Sequence, residues 1–380
     1  MDLDLTEEQR LFRQTVKEFA DAEIAPRAEE LDDAGVFPYD IYAKMADLGL
    51  FGLPIPEEYG GSDTDLVTYA LAVEEIARVS ASMSITMAAH TSLGSMPLWK
   101  HGTEEQKQEY LVPQAKGEAL GAFGLTEPEA GSDAGGTKTT ATLVGDEWVV
   151  NGTKCFITNS GTDVTKQVTV TAVTATEPRR EISTIIIPNG TPGYTIAPPY
   201  KKMGWHSSDT HELSFSDCKV PRENLLGERG MGFKIFLETL DCGRIGVAAL
   251  SVGLAQGCLD ESVKYAKSRV QFGQPIGKFQ AISFKIADML VEVELARQAT
   301  IRAAWMADQG RPYTKEAAIA KLFASETAMR VASDAVQIHG GYGYVEDYPV
   351  CRYFRDAKIL EIGEGTSEVQ RIVLSRGLGL

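Results

Sequence analysis

The strongest constraint on this chain is a change of hydrophobic period that occurs twice along its length. The first hundred or so residues repeat at helical spacing, with Leu11, Phe12, Val16, Phe19 and Ile24 marking one face. Thr6-Glu7-Glu8-Gln9 has the form of a capping box at the start of that run, and Pro26 is expected to kink or end it. Breakers from Pro54 to Gly61 separate it from a second helical stretch, Leu66 to Val79. Thr103-Glu104-Glu105-Gln106 opens a short helix expected to stop near Pro113. From about Leu120 to Val220 the chain becomes rich in Thr, Val and Ile between closely spaced turn residues. Thr140 to Val144, a Gly145-Asp146-Glu147 turn and Trp148 to Val150 read as strand, turn and strand. Val168 to Ala172, Ile185 to Ile187 and Glu212 to Phe215 are further strand candidates. Helical spacing returns from Met231, breaks at Phe272-Gly273-Gln274-Pro275, and resumes at Ala281 to Met306, Ala317 to Ile338 and after Thr366. A helical, β, helical order predicts an α+β fold, with an antiparallel sheet clasped by helices rather than a doubly wound sheet. The expected domains are an N-terminal helical domain (1–118), a middle β domain (119–226) and a C-terminal helical bundle (227–380).

Charge and cysteine usage narrow the function classes. A net charge of -16 and a pI near 4.9 argue against a nucleic-acid binder or a protein held on anionic lipid, since both need excess Lys and Arg. The N-terminal M-D-L-D-L-T-E-E-Q has no basic or apolar leader. The longest nearly apolar stretch, Ile245 to Leu259, carries Ser251, Gln256 and several glycines, and falls short of the roughly 20 apolar residues of a membrane helix. Five cysteines without C-x-x-C spacing suggest neither a disulfide framework nor a zinc site, and the histidines form no metal pair. No metal and a cytoplasmic location are the expectations.

Four segments could carry chemistry. Gly124 to Asp133 leaves a strand and enters a glycine-rich turn, which can offer backbone N–H groups and a hydroxyl to a phosphate or a cofactor ring. A polar β-turn accounts for it equally well. Gln337-Ile338-His339-Gly340-Gly341 ends a helix, which usually marks a C-cap. Those glycines do not follow a strand, which weakens a nicotinamide-dinucleotide reading. Glu364 lies between Gly363 and Gly365, so its backbone can approach a ligand closely just before a helix N-terminus; an exposed acidic loop is the plainer reading. Arg269-Val270-Gln271-Phe272-Gly273 alone is only a capped helix end.

Taken together, these segments resemble the acyl-CoA dehydrogenases over nearly the whole chain. L-T-E-P-E-A-G-S-D (Leu125 to Asp133) is similar to the family's first signature, and Gln337 to Asp356 is similar to its second. Cys155-Phe156-Ile157-Thr158-Asn159 and the R-x-x-F-G at Arg269 also fit. The resemblance implies FAD, with Leu125, Thr126, Gly131, Ser132, Phe156 and Thr158 at the isoalloxazine and nearby pyrophosphate. Phe156 stands where many relatives carry Trp, so an aromatic wall is kept without the indole N–H. It further implies that Arg269, Phe272, Gln280, Gln337, Gly340 and Gly341 grip the FAD of a neighbouring subunit, with Thr366 and Glu368 completing the site. That sharing implies an oligomer, commonly a homotetramer.

Glu364 matches the base that removes the α-proton in straight-chain members. In the family the thioester oxygen is hydrogen-bonded by the base residue's own backbone N–H and a ribityl hydroxyl. The acyl-CoA substrate would meet Ser132, Asp241, Arg244, Gly363 and Gly365, and an electron-transfer flavoprotein would accept the electrons. Medium-chain relatives have Tyr where this chain has Gly363, and isovaleryl-type relatives place their base at the position matching Gly243. Glycine cannot act as a base, so Glu364 keeps the role; the missing phenol implies either room for branched short chains alongside butyryl or a neighbouring side chain that fills the space. Alternatives are an acyl-CoA oxidase that uses oxygen, or a non-catalytic acyl-CoA- or flavin-binding relative.

Overall fold

A computed structural model describes residues 4–380, so the first three residues of the N-terminal reading lie outside the described residues. The Thr6 capping box forms as expected, Gln9 N donating to Thr6 Oγ1 at 3.1 Å and Thr6 N to Gln9 Oε1 at 3.0 Å. Its helix, Glu7–Phe19, widens into a π turn at Ala20–Ile24 and tightens at Ala25–Arg27 around Pro26 before resuming as Ala28–Ala34. The helix Leu66–Ala77 is followed by Ala81–Ala89, a buried helix absent from the sequence reading and capped by Ser80. Both are buried on nearly every face, the mark of a helix enclosed by protein. The Thr103 helix ends at Ala115, close to the expected stop near Pro113. Pro113 comes just after the π turn Lys107–Leu111, where the helical hydrogen-bond ladder is already widened.

The middle of the chain forms a sheet of strands β1 (Leu120–Gly124), β2 (Thr140–Val144), β3 (Glu147–Thr158), β4 (Thr165–Ala175), β5 (Glu181–Pro188), β6 (Tyr194–Ile196), β7 (Thr210–Pro221) and β8 (Leu225–Leu226). Their order is β6-β7-β3-β2-β4-β5-β8, with β1 added beside β4. The sheet is not wholly antiparallel: β1 runs parallel to β4, and β2 meets β4 in parallel through Thr140 and Val173. A parallel pair needs a long crossover, supplied here by the turn and the β2–β3 hairpin lying between β1 and β4.

Helices again dominate the rest, Gly232–Ser268, Gln280–Asp308, Thr314–His339, Pro349–Ala357 and Ser367–Gly377, with a short antiparallel hairpin of Val270–Gln271 and Gln274–Pro275 between the first two. The 37-residue Gly232–Ser268 helix corrects the membrane reading, since by length and composition it is apolar enough to cross a bilayer. Its apolar window is 94% buried inside the protein, which makes it the axis of the core. Glycine lets the Leu66–Ala77 helix touch it: a Cβ at Gly253 would stand 2.1 Å from the Glu74 carbonyl oxygen. The same core holds the Thr314–His339 helix through a stripe of fully buried alanines. Glu74 ties the ends together, accepting from Arg13 at 2.7 Å and Arg297 at 3.0 Å.

Candidate active site

Glu364 sits in the turn between the Lys358–Glu361 helical turn and the Ser367–Gly377 helix. Thr366 caps that last helix by accepting from Val369 N at 3.2 Å. The turn is held in the left-handed region at Glu364 (φ +52°) and Gly365 (φ +93°). For a non-glycine residue this conformation costs about 1–3 kcal/mol and persists only where neighbours enforce it. The residue as a whole keeps partial exposure, yet its Oε2 is buried without a hydrogen-bond partner among the described residues. That oxygen lies over Gly243 of the long helix, 1.8 Å from where a Cβ there would stand. Burial raises the Glu364 carboxyl to about 7, against the opposing charges of Lys321 and Arg244. Its backbone N–H also has no acceptor among the described residues. A carboxylate with a free oxygen, a titration point near neutrality and a free adjacent donor suits proton abstraction beside a developing oxyanion.

Asp241 and Arg244 flank Gly243 on the same helix. Arg244 donates to Asp241 at 2.7 Å, and Asp241 accepts from Thr314 at 2.5 Å. Arg244 Nε is buried and unpaired. The structure therefore brings Asp241, Gly243, Arg244, Gly363, Glu364, Gly365 and Thr366 to one place, with Glu368 exposed in the first turn beyond.

A second group collects at the end of β1 and along β3. Leu125 and Thr126 follow β1, and Cys155 N donates to the Thr126 carbonyl at 2.8 Å. A register shift between Lys154 and Ile157 turns Phe156 outward at φ +61°, leaving it 65% exposed. Tyr200 backs it with ring centroids 5.1 Å apart. Thr158 is half-buried beside it, while Gly131 and Ser132 lie exposed on the turn. Beneath the turn is a pair without an assigned role in the sequence reading. Lys154 Nζ, fully buried, donates to Glu127 at 2.7 Å, to the Leu125 carbonyl at 3.0 Å and to Thr137 at 3.1 Å. Burial pushes the lysine down; the same burial is the largest single influence on Glu127 and would raise it, but the Lys154 charge together with the hydrogen bonds from Lys154, Thr137 and the Lys138 N–H holds that carboxyl low. Lys154 stands two and three steps of two from Val150 and Trp148 on the inward face of β3, so strand alternation alone marks it as buried. Lys154→Met leaves the Glu127 charge unpaired and is expected to cost about 3–5 kcal/mol of stability, read from the urea midpoint.

A third group lies apart. Arg269, Gly340 and Gly341 line a cavity of about 570 Å³ together with Tyr265, Gln271 and Tyr342. Phe272 is 93% exposed, and Gln280 and Gln337 are exposed too. No residue lining this cavity belongs to either of the other two groups. A Cβ at Gly340 or Gly341 would meet nothing within 4 Å, so this surface is open to a ligand or another chain.

Comparison with known proteins gives the chain a family. Three acyl-CoA dehydrogenase family models match in sequence order: the N-terminal domain at residues 6–118, the middle domain at 122–218 and the C-terminal domain at 230–379. A probable acyl-CoA dehydrogenase of Bacillus subtilis, YngJ, is 56% identical over all of both chains. Butyryl-CoA dehydrogenase from Megasphaera elsdenii superposes with a TM-score of 0.97 at 48% identity, covering 100% of each chain. A chain in the structure of the electron transferring flavoprotein of Acidaminococcus fermentans gives 0.96 at 49%, covering 100% of this chain and 99% of that one. An acyl-CoA dehydrogenase complexed with FAD from Bacillus anthracis gives 0.92 at 35%, covering 99% and 67%. The chain belongs to the acyl-CoA dehydrogenase family, whose members are oxidoreductases.

Proposed function

We propose that this protein oxidises a short acyl-CoA, straight or branched, to its trans-2-enoyl-CoA, with Glu364 as the base. The observation that carries the reading is the Glu364 carboxylate, with an unpartnered buried oxygen over Gly243 and a titration point near 7. FAD bound here would supply the acceptor for the hydride leaving Cβ, while Glu364 would take the proton leaving Cα. The residues fit that cofactor. Phe156 offers an exposed ring face, with Leu125, Thr126 and Thr158 beside it and Gly131 and Ser132 on the adjoining turn. The free backbone N–H of Glu364 would steady the thioester oxygen while its carboxylate takes the proton. Asp241 and Arg244 would bind the pantetheine beside Ser132, Gly363 and Gly365.

Short chains are favoured by Tyr69. It is fully buried, senses the Glu364 charge, and its hydroxyl would lie 2.8 Å from a Cβ at Gly246, one turn beyond Gly243. That phenol would limit the room for an acyl chain running along the long helix past Gly246. Breadth is favoured by Gly363, where medium-chain relatives carry a phenol. A homotetramer is supported by the exposed third group and by Phe284, Val291 and Leu295, an exposed apolar stripe along the Gln280–Asp308 helix. Through it Arg269, Phe272, Gln280, Gln337, Gly340 and Gly341 would reach a neighbour's FAD, with Thr366 and Glu368 completing the site. Electrons would pass to an electron-transfer flavoprotein, a reading supported by the likeness to the Acidaminococcus fermentans chain. The five free cysteines suit a reducing cytoplasm.

The test is a visible spectrum followed by anaerobic titration with butyryl-, isobutyryl-, isovaleryl-, 2-methylbutyryl- and octanoyl-CoA. A flavin band bleached best by a short thioester is expected. A protein colourless after incubation with FAD, or one that no thioester bleaches, overturns the reading. Peroxide release in air would instead favour an oxidase. In the same titration Gly363→Tyr should slow the branched thioesters selectively; unchanged branched rates remove that part.

A further inference from the structure

One buried cation near the site has no part in the chemistry above. Lys321 is fully buried on the Thr314–His339 helix, in a stripe shared with Ala317, Ala324 and Ala328. A lysine in such a stripe loses its hydration and needs a compensating partner. Its Nζ donates to the Gly365 carbonyl at 2.7 Å. Gln370, also fully buried, donates Nε2 to the same oxygen at 2.9 Å and to the Glu364 carbonyl at 3.3 Å. Two side chains from two helices thus grip the backbone of the left-handed turn that carries the base.

The charges around that turn are few. Glu364 is faced by Lys321 from the Thr314–His339 helix, by Arg244 and Cys242 from the long helix, and by Tyr69 from the Leu66–Ala77 helix. Lys321 also feels Arg244, Glu361 and Glu368. Arg244 is already bonded to Asp241, whereas the Lys321 hydrogen bond goes directly to the base turn.

We propose that Lys321 is a positioning residue for Glu364, pinning the Gly365 carbonyl so that the carboxylate stays over Gly243 and favouring its ionised form. The proposal rests on the reading of Glu364 as the base. Burial pushes Lys321 down to about 8 while Glu364 is raised to about 7, so between those values both carry charge.

The test is anaerobic single-turnover flavin reduction across pH in Lys321→Met and Lys321→Arg, with the flavin spectrum and thioester Kd measured alongside. Removing a positive charge raises the pH at which Glu364 ionises, and a rise of about one pH unit lowers the ionised fraction below the limb about tenfold. The Met variant should therefore lose about tenfold or more in rate at pH 7 and recover at higher pH, with Kd little changed. The Arg variant should keep the wild-type limb. If the Met variant fails to load flavin, Lys321→Gln keeps a donor without the charge, and its limb must still move upward. A limb that stays in place in the neutral variant that folds overturns the proposal. Glu364→Gln separates the two failures. If that variant turns over, the base reading is wrong; if it is inactive while the Lys321 limb is unmoved, only the role of Lys321 falls.

Discussion

Glu364→Gln is expected to keep its flavin band and to bleach with acyl-CoA about 10²- to 10⁴-fold more slowly than the parent protein. The amide fills the same space but cannot take the proton. In the parent protein the rate should climb as pH rises through about 7, where burial places the carboxyl; in the Gln variant the limb disappears. Stability carries a second signature. The Glu364 pKa is raised on folding from an ordinary 4.5, so its contribution to stability is fully present below that pH and lost as pH rises to about 7. Glutamine never ionises. The variant should therefore melt higher than the parent at pH 8, with the gap closing towards pH 4.5. Equal turnover, or an unchanged pH limb, removes Glu364 from the chemistry.

Gly243→Ala should be nearly as damaging through a different route. A Cβ at 243 would stand 1.8 Å from Glu364 Oε2, closer than any real contact, so something must move. The carboxylate is the end of a flexible side chain, and it will yield before the backbone of the long helix does. Alanine is also a better helix former than glycine, by roughly 1 kcal/mol. The variant should fold and hold its flavin, with a melting temperature at or above the parent's. A displacement of about 1 Å at a reacting group can cost about 10²-fold, and a loss of that order is expected in the single-turnover rate. If the rate survives, the carboxylate does not work from its place over Gly243.

The helical, β, helical order was legible because the change of period is physical: strands alternate by two and helices by 3.6 residues. The capping box at Thr6, the Pro26 interruption and the start of the last helix after Thr366 were legible for the same local reason. The Ala81–Ala89 helix was not, since a helix buried on every side, with Ser82, Ser84 and Thr86 scattered among its apolar residues, has no stripe to read. The parallel β1–β4 pair was hidden because strand direction follows from the long-range path of the chain, which no window of residues contains. Within the site, signature motifs drew attention to Glu364 and Phe156, but not to what supports them. Lys154 and Lys321 could have been found, because each breaks an apolar face at the right spacing: β3 after Trp148 and Val150, and the helix between Ala317 and Ala324. Gln370 offered no comparable signal, and its role emerges only when the turn closes against it.

The encounter between position 243 and the Glu364 carboxylate bears on how such a site can change over evolutionary time. Two stretches of chain more than a hundred residues apart compete for one small volume, so a side chain arriving from the helix and one arriving from the turn exclude each other. A lineage that moves its acid group from one stretch to the other must empty the first before filling the second, and passes through an inert ancestor or makes both changes at once. The turn tolerates such an exchange, because its restraints hold carbonyl oxygens and are indifferent to which side chain is displayed. The scaffold can therefore outlive a relocation of its own chemistry.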